Sequence, residues 1–308
     1  MDPMTIHVAP TDNEWYDAAV AAVQRGGGQV GDVEQARALI WLEMTVEGLQ
    51  GRLHDDIEWV QLRAAGVDRW LAQGAIDPDR VWTGAQGVYS SAVAEHALTL
   101  LLAGAKQLQR SVRAQSWNVG AKWWGGLVEG ATVAVIGAGG IGQRLIDYLV
   151  ALDARVIAVT RSGREVPGAT LSLAADDLDQ VWPVADFVVL AAPATDETRR
   201  LVGPAELDAM KDDAWIINIA RGSMLDQDAL VRALRDGTIG GAALDVTEPE
   251  PLPDDHPLWT EPRVILTPHT ANPGGAQLPR LMLRIEENVR RFIAGEPVLG
   301  QVDLDAGY

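Results

Sequence analysis

Short apolar runs separated by helically spaced stretches recur along the whole chain. Across residues 1–90, MTIHVA, ALIWL, IEWVQL and RVWTGA read as strands, while NEWYDAAVAAVQR and VEGLQGRL carry helical spacing. That alternation predicts a small parallel sheet with helices beside it. SSAVAEHALTLLLAGAKQL is apolar nearly all round, which predicts a buried helix. SWNVGAKWWGGLVEG follows as an irregular, tryptophan-bearing stretch. The strand pattern then resumes in TVAVIG, ARVIAVT, ADFVVLAAP, AWIINIA, GAALDV and RVILTPHT, with helices at QRLIDYLVAL, AELDAMK and QDALVRALRDG. Six strands with helices between them predict a doubly wound α/β sheet, whose ligands sit outside the strand C-termini. AQLPRLMLRIEENVRRFIAG closes the chain as an amphipathic helix.

The stretch TVAVIGAGGIG, running into that first QRLIDYLVAL helix, carries G-x-G-x-x-G at Gly137, Gly139 and Gly142. Each glycine has a separate physical use. Gly137 permits the tight turn out of the strand, Gly139 lets a pyrophosphate approach the backbone, and Gly142 lets helix and sheet pack closely. The helix N-terminus offers N–H groups to the anion. A plain β–α turn has the same glycines, but the placement between strand and helix favours a dinucleotide site.

Composition narrows the picture. With 308 residues the chain is long enough for two domains. The net charge of −18 disfavours nucleic acid and anionic membrane surfaces as partners, and demands a local cation for any anionic substrate. The absence of cysteine excludes disulfides, thiol nucleophiles and thiolate metal sites, and no metal site is read from the sequence. No apolar run reaches membrane-spanning length, and MDPMTIHVAP shows no secretory pattern, so a cytoplasmic protein is expected.

Of the five histidines, His269 alone follows a strand end where ligands bind, and it can exchange a proton near neutral pH. His96, beside Glu95 in the apolar helix, reads as half of a buried, hydrogen-bonded structural pair. Arg221 leaves the strand WIINIA with Gly222 behind it and can offer its fork to a carboxylate. Glu248 or Glu250, in a proline-punctuated loop, can fix the tautomer of a nearby histidine. The strand ARVIAV ends in Thr160, Arg161, Ser162, Gly163 and Arg164, with no carboxylate to bond a ribose. Thr160, Arg161, Ser162 and Arg164 suit a 2′-phosphate instead, so NADP(H) is favoured and NAD(H) is possible.

GAGGIG, NIARG, ALDVTEPEPLP and TPHTAN, in that order and spacing, resemble the D-isomer-specific 2-hydroxyacid dehydrogenases. VAEHALTLLLA is similar to that family's hinge helix, and WVQLRAAGVD to its substrate loop. The resemblance implies a Rossmann-type nucleotide domain, 98–271, inserted in a smaller flavodoxin-like substrate domain, 1–97 and 272–308. It implies Arg221 as the substrate-binding arginine, Glu250 rather than Glu248 as the histidine's partner, and His269 as the acid/base. By motif position Gly140, Ile141, Ala192, Pro193, Ile219, Ala220 and Asp245 join the three glycines as cofactor contacts. Ala65, Gly66 and Val67 would hold the substrate by their backbone N–H groups, with Trp41 near the cleft mouth. Ser116–Val128, with Trp123 and Trp124, corresponds to the family's dimerisation arm and implies a homodimer. The implied reaction is reduction of a small 2-oxo acid, glyoxylate or hydroxypyruvate first, to the D-2-hydroxy acid. A formate-type site would pair its histidine with an amide, whereas Glu250 stands in that place. The alternative of another class is a nucleotide-sensing, corepressor-like protein on the same scaffold.

Overall fold

The computed structural model describes residues 4–117, 125–304 and 307. The chain divides into two compact units, residues 1–89 with 273–308, and residues 90–272. These junctions fall outside the helix that the expected boundary at 97 would cut.

The first unit is built on β1 (Thr5–Ala9), β2 (Gln29–Val30), β3 (Ala38–Trp41), β4 (Trp59–Leu62) and β5 (Val81–Thr83). Its order is β2-β1-β3-β4-β5 and every pairing is parallel. Strands β3 and β4 are buried at all four positions, as strands covered on both faces must be. Helices α1 (Tyr16–Arg25) and α2 (Asp68–Ala72) come from the first segment, and α8 (Gly274–Ala294) from the last. The helix expected over VEGLQGRL is reduced to a 3-10 turn at Gln50–Arg52. Gly48 sits at φ +78°, which a helix cannot accommodate, and Gly51 weakens what remains.

The second unit opens with α3 (Ser90–Ala105) and α4 (Leu108–Arg113). Its sheet comprises β6 (Thr132–Ile136), β7 (Arg155–Thr160), β8 (Leu171–Ala174), β9 (Phe187–Leu190), β10 (Trp215–Asn218), β11 (Gly241–Leu244) and β12 (Val264–Leu266). Helices α5 (Gly140–Val150), α6 (Pro204–Ala209) and α7 (Gln227–Asp236) connect them. The order is β12-β11-β10-β9-β6-β7-β8, all parallel. This is the doubly wound Rossmann order extended by one strand. It has seven strands where six were expected. The extra one, β8, lies at the sheet edge with no fully buried residue, so it carries no apolar run. The order reverses between β6 and β9, and a ligand site is expected in the crevice at that switch point. Residues 118–124 of the expected arm, Trp123 and Trp124 among them, lie outside the described residues.

Candidate active site

The glycine turn lies at the C-terminal end of β6, beside the switch point. Gly137 has φ +100°, and a Cβ on it would strike the Ala192 backbone leaving β9. Gly142 is buried, and a Cβ there would strike the Gly137 carbonyl. Gly139 is the opposite case: nothing lies within 4 Å of where its Cβ would be. Gly139 and Gly140 are exposed at the start of α5, with Ile141 half-buried. An open, side-chain-free backbone at a helix N-terminus fits a pyrophosphate.

Beyond β7, Thr160 has a buried Oγ1 without a hydrogen-bond partner among the described residues. Arg161, Ser162 and Arg164 are exposed. The Arg164 Nη2 donates to the Ala138 carbonyl at 2.7 Å, which carries this basic turn back to the glycine loop. A hydroxyl free to donate and a basic turn beside the glycines fit a nucleotide bearing an extra phosphate. Pro193 is exposed after β9, and Ala192 is half-buried. Ile219 and Ala220 are buried after β10.

Three consecutive strand ends, β10, β11 and β12, carry the polar groups. Arg221 follows β10, and its Nη1 donates to the Ala220 carbonyl at 2.8 Å. The buried Asn218 fixes this turn: its Nδ2 donates to the Arg221 carbonyl at 2.9 Å and its Oδ1 accepts from Ala220 N at 3.1 Å. A Cβ on Gly222 would strike the Thr247 backbone, so the glycine lets the β10 and β11 loops touch. In the β11 loop Glu250 Oε1 accepts from Thr247 N at 3.2 Å. Glu250 Oε2 lies 3.2 Å from Nδ1 of His269, which follows β12. Glu248 instead points toward Arg199, 3.5 Å away. With Glu250 on Nδ1, Nε2 is the ring nitrogen left for a proton exchange with substrate.

Asp245, buried after β11, gathers the segment that carries His269. Its carboxylate accepts from Thr267 Oγ1 at 2.5 Å, Thr270 N at 2.9 Å and Ala271 N at 3.1 Å. His96 Nε2 lies 3.3 Å from the same carboxylate and 3.0 Å from Thr267 Oγ1. Burial pushes the Asp245 carboxyl up, but hydrogen bonds from His96, Thr267, Thr270 and Ala271 outweigh it and hold the group below the usual aspartate range. The expected Glu95–His96 pair is therefore corrected. Glu95 is exposed on α3, and His96 bonds across to Thr267 and Asp245. Asn218, Thr267 and His96 had no part in the sequence-based site. Only the polar Asn218 ending the apolar run WIIN could have signalled one of them.

In the first unit Ala65, Gly66 and Val67 link β4 to α2. Ala65 is half-buried, Gly66 is exposed, and the Val67 side chain is buried. Trp41, expected near the cleft mouth as a substrate contact, is instead a core residue. It is 1% exposed, packs among Leu39, Leu62 and Trp82, and donates its indole N–H to the Thr45 carbonyl at 2.8 Å.

The family described as "D-isomer specific 2-hydroxyacid dehydrogenase, NAD binding domain" matches residues 96–271, more than half of the chain. The chain belongs to the D-isomer-specific 2-hydroxyacid dehydrogenase family. An uncharacterized protein from Corynebacterium melassecola is 39% identical over 95% of this chain and 97% of its own length. The glyoxylate reductase of Aeropyrum pernix is 34% identical, covering 70% of this chain and 67% of that protein. Among solved structures, a D-isomer specific 2-hydroxyacid dehydrogenase from Xanthobacter autotrophicus Py2, in complex with NADPH and MES, is 30% identical with a TM-score of 0.86, covering 100% of both chains. An NADPH-dependent glyoxylate/hydroxypyruvate reductase from Sinorhizobium meliloti is 25% identical with a TM-score of 0.83, covering 99% of this chain and 100% of that one. As a 2-hydroxyacid dehydrogenase, this chain uses a nicotinamide cofactor, for which residues 96–271 supply the domain. Among the described residues of the dehydrogenase, no helix is long and apolar enough to cross a membrane.

Proposed function

We propose that this dehydrogenase reduces a small 2-oxo acid of the glyoxylate or hydroxypyruvate kind to the D-2-hydroxy acid, with NADPH as the preferred reductant. The observation that carries the reading is the 3.2 Å pair between His269 Nδ1 and Glu250 Oε2, flanked by Arg221 on the next strand end. The substrate named for the Aeropyrum pernix and Sinorhizobium meliloti relatives supports the choice of oxo acid.

Residues 1–89 and 273–308 serve as the substrate domain, and 90–272 as the nucleotide domain. Arg221 binds the substrate carboxylate by its fork, and its charge stabilises the developing alkoxide. The backbone N–H groups of Ala65, Gly66 and Val67 help orient the acid. The bound nicotinamide supplies the hydride for the carbonyl carbon. His269 Nε2 gives its proton to the carbonyl oxygen, and Glu250 fixes the ring and balances its charge. Gly137, Gly139, Gly140, Ile141 and Gly142 cradle the pyrophosphate, while Ala192, Pro193, Ile219 and Ala220 line the cofactor. Asp245 serves that site through the segment it gathers. Thr160, Arg161, Ser162 and Arg164 receive the 2′-phosphate, and the NADPH complex of the Xanthobacter relative supports this preference. A cytoplasmic homodimer is part of the same reading.

The test is a panel of 2-oxo acids, read by loss of reduced-nicotinamide absorbance with NADPH and with NADH. Turnover with a higher kcat/KM for NADPH is expected. Faster turnover with NADH removes the role of Arg161. Tight cofactor binding without turnover on any oxo acid favours the sensor reading.

A further inference from the structure

His96 has no task in the reaction as read above, yet it stands in the network that holds the acid/base segment. Every member of that network lies within residues 90–272. His96 comes from α3, which packs on α5, β10 and β11. It meets Asp245, which follows β11, and Thr267, which follows β12. The His96 side chain is 19% exposed and that of Asp245 is 1% exposed, so water competes little for these contacts.

The contacts fix where the protons lie. Asp245 is held ionised, so its oxygens only accept. The Thr267 hydroxyl, 2.5 Å from Asp245 Oδ1, therefore gives its one proton to the carboxylate. Its oxygen is left with lone pairs, and His96 Nε2 faces it at 3.0 Å. The same nitrogen lies 3.3 Å from Asp245 Oδ1. A bare Nε2 would set its own lone pair against two acceptors. The ring proton of His96 therefore stands on Nε2 and is shared between Thr267 and Asp245.

Those two residues are also the ones that hold His269. The His269 N–H donates to the Asp245 carbonyl at 2.8 Å and to the Thr267 carbonyl at 3.0 Å. The other donors on the Asp245 carboxylate, Thr267 Oγ1, Thr270 N and Ala271 N, belong to the same short segment and move with it. His96 alone among them is fixed to a different element, a helix with seven buried positions. A segment that slipped from this anchor would change the 3.2 Å approach of His269 Nδ1 to Glu250 Oε2.

We infer that His96 is a positioning residue, which donates from Nε2 to Thr267 and Asp245 and so anchors the segment that presents the His269 ring to Glu250. It acts through those two side chains and not on the substrate. Its effect on rate rests on the oxo-acid reading above, whereas its tautomer does not.

The experiment replaces His96 in the full chain. His96→Leu should lower kcat on the best oxo acid ~10- to 100-fold, as loss of hydrogen bonds to a charged group predicts. The NADPH dissociation constant, read by fluorescence titration, should stay within a few-fold. His96→Gln, whose side-chain amide can donate in place of Nε2–H, should recover most of the rate. If His96→Leu does not fold, Thr267→Val takes its place and should lower kcat in the same way. Where both fold, their losses should not add in the double variant, because both act through one carboxylate. A folded His96→Leu enzyme with the wild-type kcat overturns the inference, even if its urea midpoint falls, and so do losses that add in full. Nitrogen-15 NMR of histidine-labelled protein needs no turnover. The wild type should carry the His96 proton on Nε2, and a proton on Nδ1 alone overturns the inference. If no oxo acid is turned over, the reductase reading has failed, and the same spectra decide the anchor separately. A His269 ring that keeps its proton on Nδ1 in the wild type and loses that preference in His96→Leu or Thr267→Val sustains it. A His269 signal unchanged by both variants overturns it.

Discussion

His269 holds its backbone at φ +52°, a left-handed conformation uncommon for a residue with a side chain, though histidine adopts it more readily than most. Its N–H donates to the Asp245 carbonyl at 2.8 Å and the Thr267 carbonyl at 3.0 Å, while the Asp245 carboxylate takes the two N–H groups that follow. One buried aspartate thus sets where the imidazole stands. His269→Ala should lower kcat by ~10²–10⁴-fold on the best oxo acid, with cofactor affinity retained. A steady-state rate within a few-fold of the wild type would remove His269 as proton donor. Asp245 carries a separate prediction through its lowered pKa. A carboxyl held below its unfolded value stabilises the fold above that unfolded value, and the stabilisation is lost as pH falls through the folded one. The urea midpoint of the wild type should therefore exceed that of Asp245→Asn near neutral pH, and the gap should close on acidification below the usual aspartate range. A gap independent of pH would show that the carboxylate charge plays no part. That the glycines, Arg221 and His269 stand at strand ends was legible because each strand has its own apolar signature, whereas Glu250 was set apart from Glu248 by the family resemblance alone. The link from His96 to Thr267 spans 171 positions and leaves no periodic trace. Trp41 misled because a tryptophan ending a strand reads the same whether it faces a ligand or the core.

Among the elements, α3 shows how a helix without an amphipathic stripe packs on several neighbours at once, α5, β10 and β11 among them. Its run SSAVAEHALTLLLAGA buries seven positions, Gly104 among them. A Cβ on Gly104 would lie 2.5 Å from Trp215 Cε3 in β10, so the helix rests directly on an indole. Alanine there gains helix propensity of about 1 kcal/mol, but inserting a methyl against an immobile core ring costs about 1–3 kcal/mol. Gly104→Ala should lower the urea midpoint with an unchanged slope, since the indole is 5% exposed and has little room to move. A raised midpoint would mean that β10 yields. Strands such as FVVL, WIIN and GAAL were readable because both sheet faces are covered and the apolar run is unbroken. Edge strand β8 was not, because its residues are only partly buried. VEGLQGRL failed for another reason: helical spacing of apolar residues cannot reveal that Gly48 adopts a positive φ.

For the whole molecule the governing quantity is the net charge of −18. Like charges spread over a folded surface repel, and the repulsion opposes the compact state. Surface ion pairs such as Arg25–Glu286 and Arg144–Asp147 act the other way, but both partners are a third or more exposed in each. Pairs of that kind contribute about 0–1 kcal/mol and are screened by the same salt. The Debye length falls from about 30 Å at 0.01 M to about 8 Å at 0.15 M, so added salt removes mainly the long-range repulsion. The thermal midpoint should therefore rise between those two concentrations of sodium chloride, at constant pH and without cofactor. Replacing the two exposed acidic residues of the run Ala175–Gln180, Asp176 and Asp179, by neutral ones should raise the low-salt midpoint and shrink its salt dependence together. A midpoint that falls with salt would mean that the local pairs outweigh the excess charge, and the argument from −18 would then fail for this fold.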